Sequence, residues 1–217
     1  MNTNKFVRGC GKASLLLLLF SLTGCGSYNR LVTLEQTVNK KWADVQSVYQ
    51  RRADLIPNLV STVAGAANFE KSTLTEVTNA RASVGQVKLD PSKAPTDAAQ
   101  LEKFQQAQGQ LSTALSRLLL VTENYPQLRA TEAFQNLQAQ LEGTENRISV
   151  ERNNFNTAVQ DYNTALSTFP TNMLNKMFGF QPRPYFNAQP NAEKAPEVKF
   201  DFNKAPATPA STPAGTP

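Results

Sequence analysis

Residues 131–169 read TEAFQNLQAQLEGTENRISVERNNFNTAVQDYNTALSTF, and this stretch decides the fold of the chain. Large apolar residues recur in it at every seventh position: Phe134, Leu141, Ile148, Phe155, Tyr162 and Phe169. A strict seven-residue repeat predicts a long helix with one continuous left-handed packing seam. Because such a helix buries its seam only against helices of comparable length, the stretch predicts an all-α helical bundle.

The segment from Tyr28 to about Ala67 is the predicted main partner. Its seam also repeats every seven residues: Leu31, Val38, Val45, Arg52 and Leu59. Pro57 falls within this segment and removes one backbone hydrogen bond. We therefore predict a single helix with a kink at Pro57, in preference to two separate helices.

Two further helices are predicted between these long ones. The first covers about Glu70 to Val84, and the second follows the N-cap candidates Thr96 and Asp97 and ends before Pro126. Short connections between amphipathic helices favour antiparallel neighbours. The sequence therefore predicts an elongated, antiparallel, up-and-down four-helix bundle over residues 25–180.

Residues 181–217 are predicted to form an irregular Pro-rich tail, disordered from about Lys204. The aromatic residues in and before this tail leave two interpretations open. Residues 170–186 either fold back over one end of the bundle, which we favour, or form a strap that binds a partner. Phe200–Phe202 is either a recognition patch or a loosely docked end.

The first 24 residues have the pattern of a secretory signal. Lys5, Arg8 and Lys12 precede an apolar run, Ala13–Leu22, which as a helix reaches only ~15 Å of a bilayer core that is ~30 Å thick. The run ends in Leu22-Thr23-Gly24-Cys25, which resembles the lipobox of bacterial lipoproteins. It predicts cleavage before Cys25 and anchoring to membrane lipid through its acylated thiol. The alternative is an ordinary signal followed by a chance cysteine.

Charge and residue types limit the classes of function. Loss of Lys5, Arg8 and Lys12 lowers the net charge from +5 to +2, and no basic block remains, so we expect no nucleic-acid partner. The chain contains no His, which excludes Ser–His and Cys–His nucleophile pairs. We therefore predict no cofactor, no metal and no enzymatic activity, although chemistry that uses carboxylates alone remains open.

Two charged residues, Arg52 and Glu151, fall on the apolar seams of the two long helices. We predict that they form a structural ion pair inside the bundle, although their levels differ by about six residues, or ~9 Å of helix. The alternatives are a small-ligand or peptide site between helices near this pair, or an enzyme that uses the carboxylates of Glu142, Glu145 and Glu151.

Several segments, in order, carry a resemblance to the LemA family. They are Tyr28-Asn29, residues 51–60 (RRADLIPNLV), 80–82 (ARA), 123–126 (ENYP), 141–148 (LEGTENRI), 152–156 (RNNFN), Tyr162-Asn163, Phe169-Pro170 and the aromatic run at 178–186. The resemblance implies a membrane-anchored helical bundle outside the cytoplasm, with no agreed catalytic residues. It also suggests an envelope partner, such as a membrane metalloprotease or a phosphatase-like membrane-domain protein.

The N-terminus departs from the pattern of that family. Many relatives keep an uncleaved membrane helix there, whereas the lipobox of this chain predicts a lipid. Gly26 follows the predicted lipidated cysteine. The lipoproteins that sorting retains in the inner membrane are mainly those with Asp at that position. We therefore expect the protein to face the periplasm from the outer membrane in a bacterium with two membranes.

Overall fold

The computed structural model describes residues 3–66, 69–169 and 171–187, and for residues 3–25 and 174–177 it describes the backbone alone. Six helices follow one another in this part of the chain: α1 (Thr3–Ala64), α2 (Lys71–Gln86), α3 (Ala98–Thr122), α4 (Pro126–Arg129), α5 (Glu132–Ser167) and α6 (Thr171–Phe178). The described ranges contain no strand. The predicted all-α class and helical bundle are therefore confirmed.

Helix α1 continues without a break through Pro57, as predicted for one helix in place of two. Pro57 is exposed, while Ile56 and Leu59 beside it are buried and hold this part of the helix against the core. The helix begins at Thr3, upstream of the predicted start at Tyr28. Among the described residues, no helix carries an apolar stretch that is long enough to cross a bilayer.

Helices α1 and α5 run antiparallel in a fixed register. The Trp42 ring centroid lies 5.7 Å from that of Phe155, and Arg52 Nη1 lies 2.8 Å from Glu145 Oε2. From Trp42 to Arg52 the chain advances ten residues along α1, and from Phe155 to Glu145 it moves back by the same ten along α5. Residues 30–64 of α1 therefore have defined level partners on α5.

The predicted seams are buried along most of both helices. The buried seam residues are Leu31, Val38, Val45, Arg52 and Leu59 on α1, and Phe134, Leu141, Ile148, Phe155 and Tyr162 on α5. The prediction is wrong at Phe169, which is 78% exposed. Helix α5 ends at Ser167, and Thr168 takes an extended conformation, so Phe169 leaves the helical repeat.

Two clusters of buried side chains fill the bundle. The first surrounds Trp42, whose ring centroid lies 5.9 Å from that of Phe104 and 6.1 Å from that of Phe186. The Trp42 indole N–H donates a 2.9 Å hydrogen bond to the carbonyl oxygen of Asp90. The second cluster is mainly aliphatic and includes Leu59 and Leu118. Burial of this apolar surface is the main term that favours folding.

The shorter helices begin at side-chain caps and prolines. Asp97 caps α3, since its carboxylate accepts a 2.9 Å hydrogen bond from the Ala99 N–H, as predicted. Pro126 opens α4, a single turn that the sequence did not predict, at the first helical position where proline is favoured. Thr131 caps α5 by accepting a hydrogen bond from the Phe134 N–H.

The chain divides after Phe186 into a compact unit, Met1–Phe186, and a second unit, Asn187–Pro217. This division falls six residues after residue 181, where the predicted Pro-rich tail starts. Residues 181–186, named the docked segment below, belong to the compact unit, and Phe186 is buried there. This confirms that the segment before residue 187 folds back onto the bundle. The predictions for Phe200–Phe202 and for disorder from Lys204 lie outside the described residues.

Candidate functional site

Arg52 is the only charged residue in the α1 seam, and its side chain is 2% exposed. A buried guanidinium is costly unless its charge and its donors are matched by the protein. The partners of Arg52 therefore define the first candidate site.

Three side chains bind the Arg52 guanidinium. Nη1 donates a 2.9 Å hydrogen bond to Ser112 Oγ and a 2.8 Å one to Glu145 Oε2. Nη2 donates to the side-chain and backbone oxygens of Gln108. The Arg52 cluster, defined as Arg52, Gln108, Ser112 and Glu145, therefore ties α1 to α3 and α5 at one level of the bundle.

Tyr49 lies beside this cluster, with its ring centroid 5.2 Å from Arg52 Cζ, a cation–π distance. Burial raises the pKa of the Tyr49 hydroxyl, and the positive charges of Arg152 and Arg52 oppose part of that rise. The raised pKa disfavours the phenolate form of Tyr49. The ring therefore adds no negative charge to the neighbourhood of Arg52.

The predicted pairing of Arg52 with Glu151 is wrong. Glu151 is partly buried and accepts a 3.0 Å hydrogen bond from Asn154 Nδ2 on its own helix. It lies six residues beyond Glu145 on α5, or ~9 Å along the axis. The antiparallel register places Glu145, and not Glu151, at the level of Arg52.

A cavity of about 210 Å³ opens beside the Arg52 cluster. Its walls combine apolar and polar side chains from three helices: Arg52, Ser112, Leu115, Ser116, Leu119, Leu141, Glu142 and Glu145. Glu145 is half-exposed at this opening, with 50% of its side-chain surface accessible. The cavity is large enough for a few ligand atoms but lies below the usual range of ligand pockets, roughly 300–1,000 Å³.

The carboxylates of Glu142, Glu145 and Glu151 do not converge on one point. Glu145 binds Arg52, Glu142 accepts a 2.9 Å hydrogen bond from Gln138, and Glu151 binds Asn154. Within the described ranges, no three His, Cys, Asp or Glu side chains are placed to hold a metal ion.

A second buried cation, Arg183, was not singled out by the sequence. Its Nη2 donates a 2.5 Å hydrogen bond to Glu35 Oε1 on α1, and its Nη1 donates a 2.8 Å one to the carbonyl oxygen of Ala94. Burial raises the pKa of the nearby Tyr162 hydroxyl, the Glu35 carboxylate adds to the rise, and Arg183 opposes it. Arg183 therefore joins the docked segment to α1 and to the loop before α3.

Two asparagines of α5 hold the backbone of the docked segment. The Asn163 side chain accepts a hydrogen bond from the Arg183 N–H and donates one to the Arg183 carbonyl oxygen. The Asn156 side chain makes the same two hydrogen bonds with the backbone of Phe186. Seven helical residues span ~10.5 Å, and three residues of polyproline-like chain span ~9.3 Å. The two spacings match closely enough for both amides to bind the segment.

The sequence contained a signal for this docking. Asn156 and Asn163 are seven apart, beside an apolar seam of the same period, and Arg183 lies between Pro182 and Pro184. Prolines restrict the backbone around them to extended conformations. Two asparagines with the seven-residue spacing of the seam, together with an extended Pro-Arg-Pro segment, form the pattern that predicts this contact.

The model of the LemA family matches residues 41–200. The chain belongs to the LemA family. The matched range contains all four residues of the Arg52 cluster, and also Arg183, Asn156 and Asn163. Cys25, whose side chain lies outside the described part, precedes the match.

Proteins similar to this LemA-family chain carry two names. Magnetosome protein MamQ of Magnetospirillum gryphiswaldense is 27% identical over 191 residues, covering 81% of this chain and 70% of that protein. Magnetosome protein MamQ 1 of Paramagnetospirillum magneticum is 25% identical over 195 residues, with the same coverage. Protein LemA of Metamycoplasma hominis is 22% identical over 160 residues, covering 74% and 68%. Neither name denotes a catalytic activity.

Proposed function

We propose that this LemA-family chain is a lipid-anchored envelope protein whose helical bundle is a non-catalytic scaffold or adaptor for other envelope proteins. The observation that carries the proposal is Leu22-Thr23-Gly24-Cys25 behind an apolar run of ten residues, Ala13–Leu22. Ten residues are too few to span a bilayer. Two or more acyl chains on Cys25 give stable anchoring where one chain is marginal.

The internal chemistry of the bundle supports a structural role. The guanidinium of Arg52 is bound by Gln108, Ser112 and Glu145, and the guanidinium of Arg183 is bound by Glu35 and Ala94. Both cations therefore use their terminal donors to join elements of the fold. A bundle whose helices are joined by buried polar clusters suits a protein that positions partners.

The anchor is tested by metabolic labelling with an alkyne fatty acid. We expect labelling of the wild-type chain and its loss in Cys25→Ser. Cys10→Ser is the matched control, because Cys10 is the other cysteine and lies within the predicted signal. Continued labelling of Cys25→Ser, or a mature protein that retains Met1, would show that the anchor is wrongly assigned.

The membrane is tested by changing the residue after the anchor. With Gly26, we expect the protein in the outer-membrane fraction, facing the periplasm. Gly26→Asp should move it to the inner-membrane fraction, and Gly26→Ser should leave it in place. An inner-membrane location of the wild type would contradict the sorting argument but not the lipid anchor.

The scaffold role is tested by crosslinking in intact cells followed by purification of the anchored protein. We expect a defined set of envelope proteins, with a membrane protease or a phosphatase-like membrane-domain protein as candidates. Phe155→Ala, which disrupts the core, should lose these partners. Purification without any stoichiometric protein would contradict the scaffold role.

The cavity beside Arg52 supports a second candidate, the binding of a small ligand between α1, α3 and α5. Native mass spectrometry of the protein purified from membranes should then show a bound mass. Ser116→Trp places a large ring at the cavity wall and should remove that mass, while the exposed-site control Val150→Trp should keep it. Identical spectra for the wild type and Ser116→Trp would argue against a ligand.

A further inference from the structure

Large apolar side chains are exposed near the start of the described side chains of α1 and in the segment that contains α6, and these two segments meet at Tyr28 and Phe178. The aromatic end patch is defined as Tyr28, Phe169, Met173 and Phe178, which are 41%, 78%, 69% and 47% exposed. The ring centroids of Tyr28 and Phe178 lie 5.0 Å apart, so the last residue of α6 packs against Tyr28 of α1. Phe169 follows the end of α5 by two residues.

This patch lies at the level of the predicted anchor. Cys25 precedes Tyr28 by three residues within one continuous helix, a rise of ~4.5 Å. An acylated Cys25 would therefore place the bilayer surface within a few ångströms of Tyr28 and Phe178.

The chemistry of the patch suits the bilayer interface. Tyrosine rings are enriched at that depth because they combine an apolar body with a polar hydroxyl. The sequence of α6, TNMLNKMF, contains no acidic residue, so α6 brings no carboxylate that an anionic lipid surface would repel.

We infer that the aromatic end patch lies in the interface of the same bilayer that holds Cys25, so that the bundle is seated on the membrane by side chains as well as by its lipid. The inference rests on the proposed lipid anchor. It assigns a lipid surface, and not a second copy of the chain or a protein partner, as the occupant of the patch.

Photo-crosslinking of the full-length, anchored protein in cells tests this inference. Benzoylphenylalanine is introduced at Phe178 or Met173, and the phospholipids are labelled with ³²P. Phosphorus is a suitable label because it is present in phospholipids, whereas the expected modification of Cys25 consists of acyl chains. The control positions are Leu120 and Val150, which are 64% and 55% exposed and lie on α3 and α5 away from the patch.

We expect at least fivefold more ³²P in the protein from the patch positions than from the control positions. Equal labelling at both sets, or crosslinks from Phe178 to a second copy or to another protein, would overturn the inference. Fatty-acid labelling of Cys25 is measured in the same samples. A retained fatty-acid label without ³²P at the patch overturns the inference alone, whereas loss of the fatty-acid label contradicts the proposed anchor.

Discussion

Replacing Glu145 with Gln removes the carboxylate from the Arg52 cluster and keeps its size. The 2.8 Å bond joins a guanidinium that is 2% exposed to a carboxylate that is 50% exposed. Solvent screening of the exposed partner reduces the energy of the pair well below that of a fully buried one. We expect Glu145→Gln to lower the free energy of unfolding by about 1 kcal/mol.

Arg52→Met should cost more, about 2–4 kcal/mol, because it leaves the buried Gln108 side chain without its donor and also removes the bond to Ser112. Since both changes remove the same ion pair, their effects should not add. The double-mutant cycle should give a coupling energy of about 1 kcal/mol. Urea unfolding of the four proteins, followed by circular dichroism, measures it.

Glu151→Gln is the matched control, since Glu151 lies on the same helix, is partly buried and binds Asn154 in place of Arg52. Its cycle with Arg52→Met should be additive within about 0.5 kcal/mol. Coupling to Glu151 together with additivity at Glu145 would refute the register of α1 and α5. Additivity at both positions would show that the ion pair contributes nothing.

Three further predictions concern the core, the docked segment and alkaline pH. Phe155→Ala should lower the free energy of unfolding, measured by chemical denaturation, by ~3–5 kcal/mol. The exposed control Phe169→Ala should change it by less than about 0.5 kcal/mol. Equal effects of the two substitutions would contradict the burial of the seam. Asn163→Leu removes both hydrogen bonds to Arg183. The Arg183 amide should therefore exchange with deuterium several-fold faster than in the exposed-site control Asn153→Leu. Unchanged exchange would mean that other contacts hold the docked segment. Burial raises the pKa of Tyr49 and Tyr162, so their contribution to stability is complete below the unfolded value near 10 and is lost as pH rises through the raised folded pKa. Tyr162→Phe should therefore flatten the fall of melting temperature above pH 10, and a parallel fall would contradict this assignment.

The long helices could be predicted from the sequence because a seven-residue repeat is a local property that directly reports a buried face. Thr131 and Asp97 likewise mark the starts of α5 and α3 through their own side chains. Phe169 has the right spacing but lies beyond Ser167, where the helix ends. Periodicity alone therefore could not show where the seam stops.

The partner of Arg52 could not be predicted in the same way. Seam position favours Glu151, yet Glu145 is as far before Phe169 as Arg52 is after Tyr28. A long arginine side chain can reach a carboxylate beside the seam, so helix level decides the pairing more than seam position does. Gln108 and Ser112 on α3 complete the cluster, and no repeat in the sequence connects them to α1.

A strict heptad repeat leaves the register of two helices undecided, because a slip of seven residues again places apolar residues opposite one another. A polar residue in the seam removes this ambiguity. A slip in one direction would bring Arg52 level with Arg152, which opposes two positive charges, and a slip in the other direction would bring it level with the neutral Gln138. Only the observed register offers Arg52 a carboxylate at its own level. The Arg52 cluster therefore favours one register of α1 and α5 over its nearest competitors, and this is a structural reason for a buried charge in the seam.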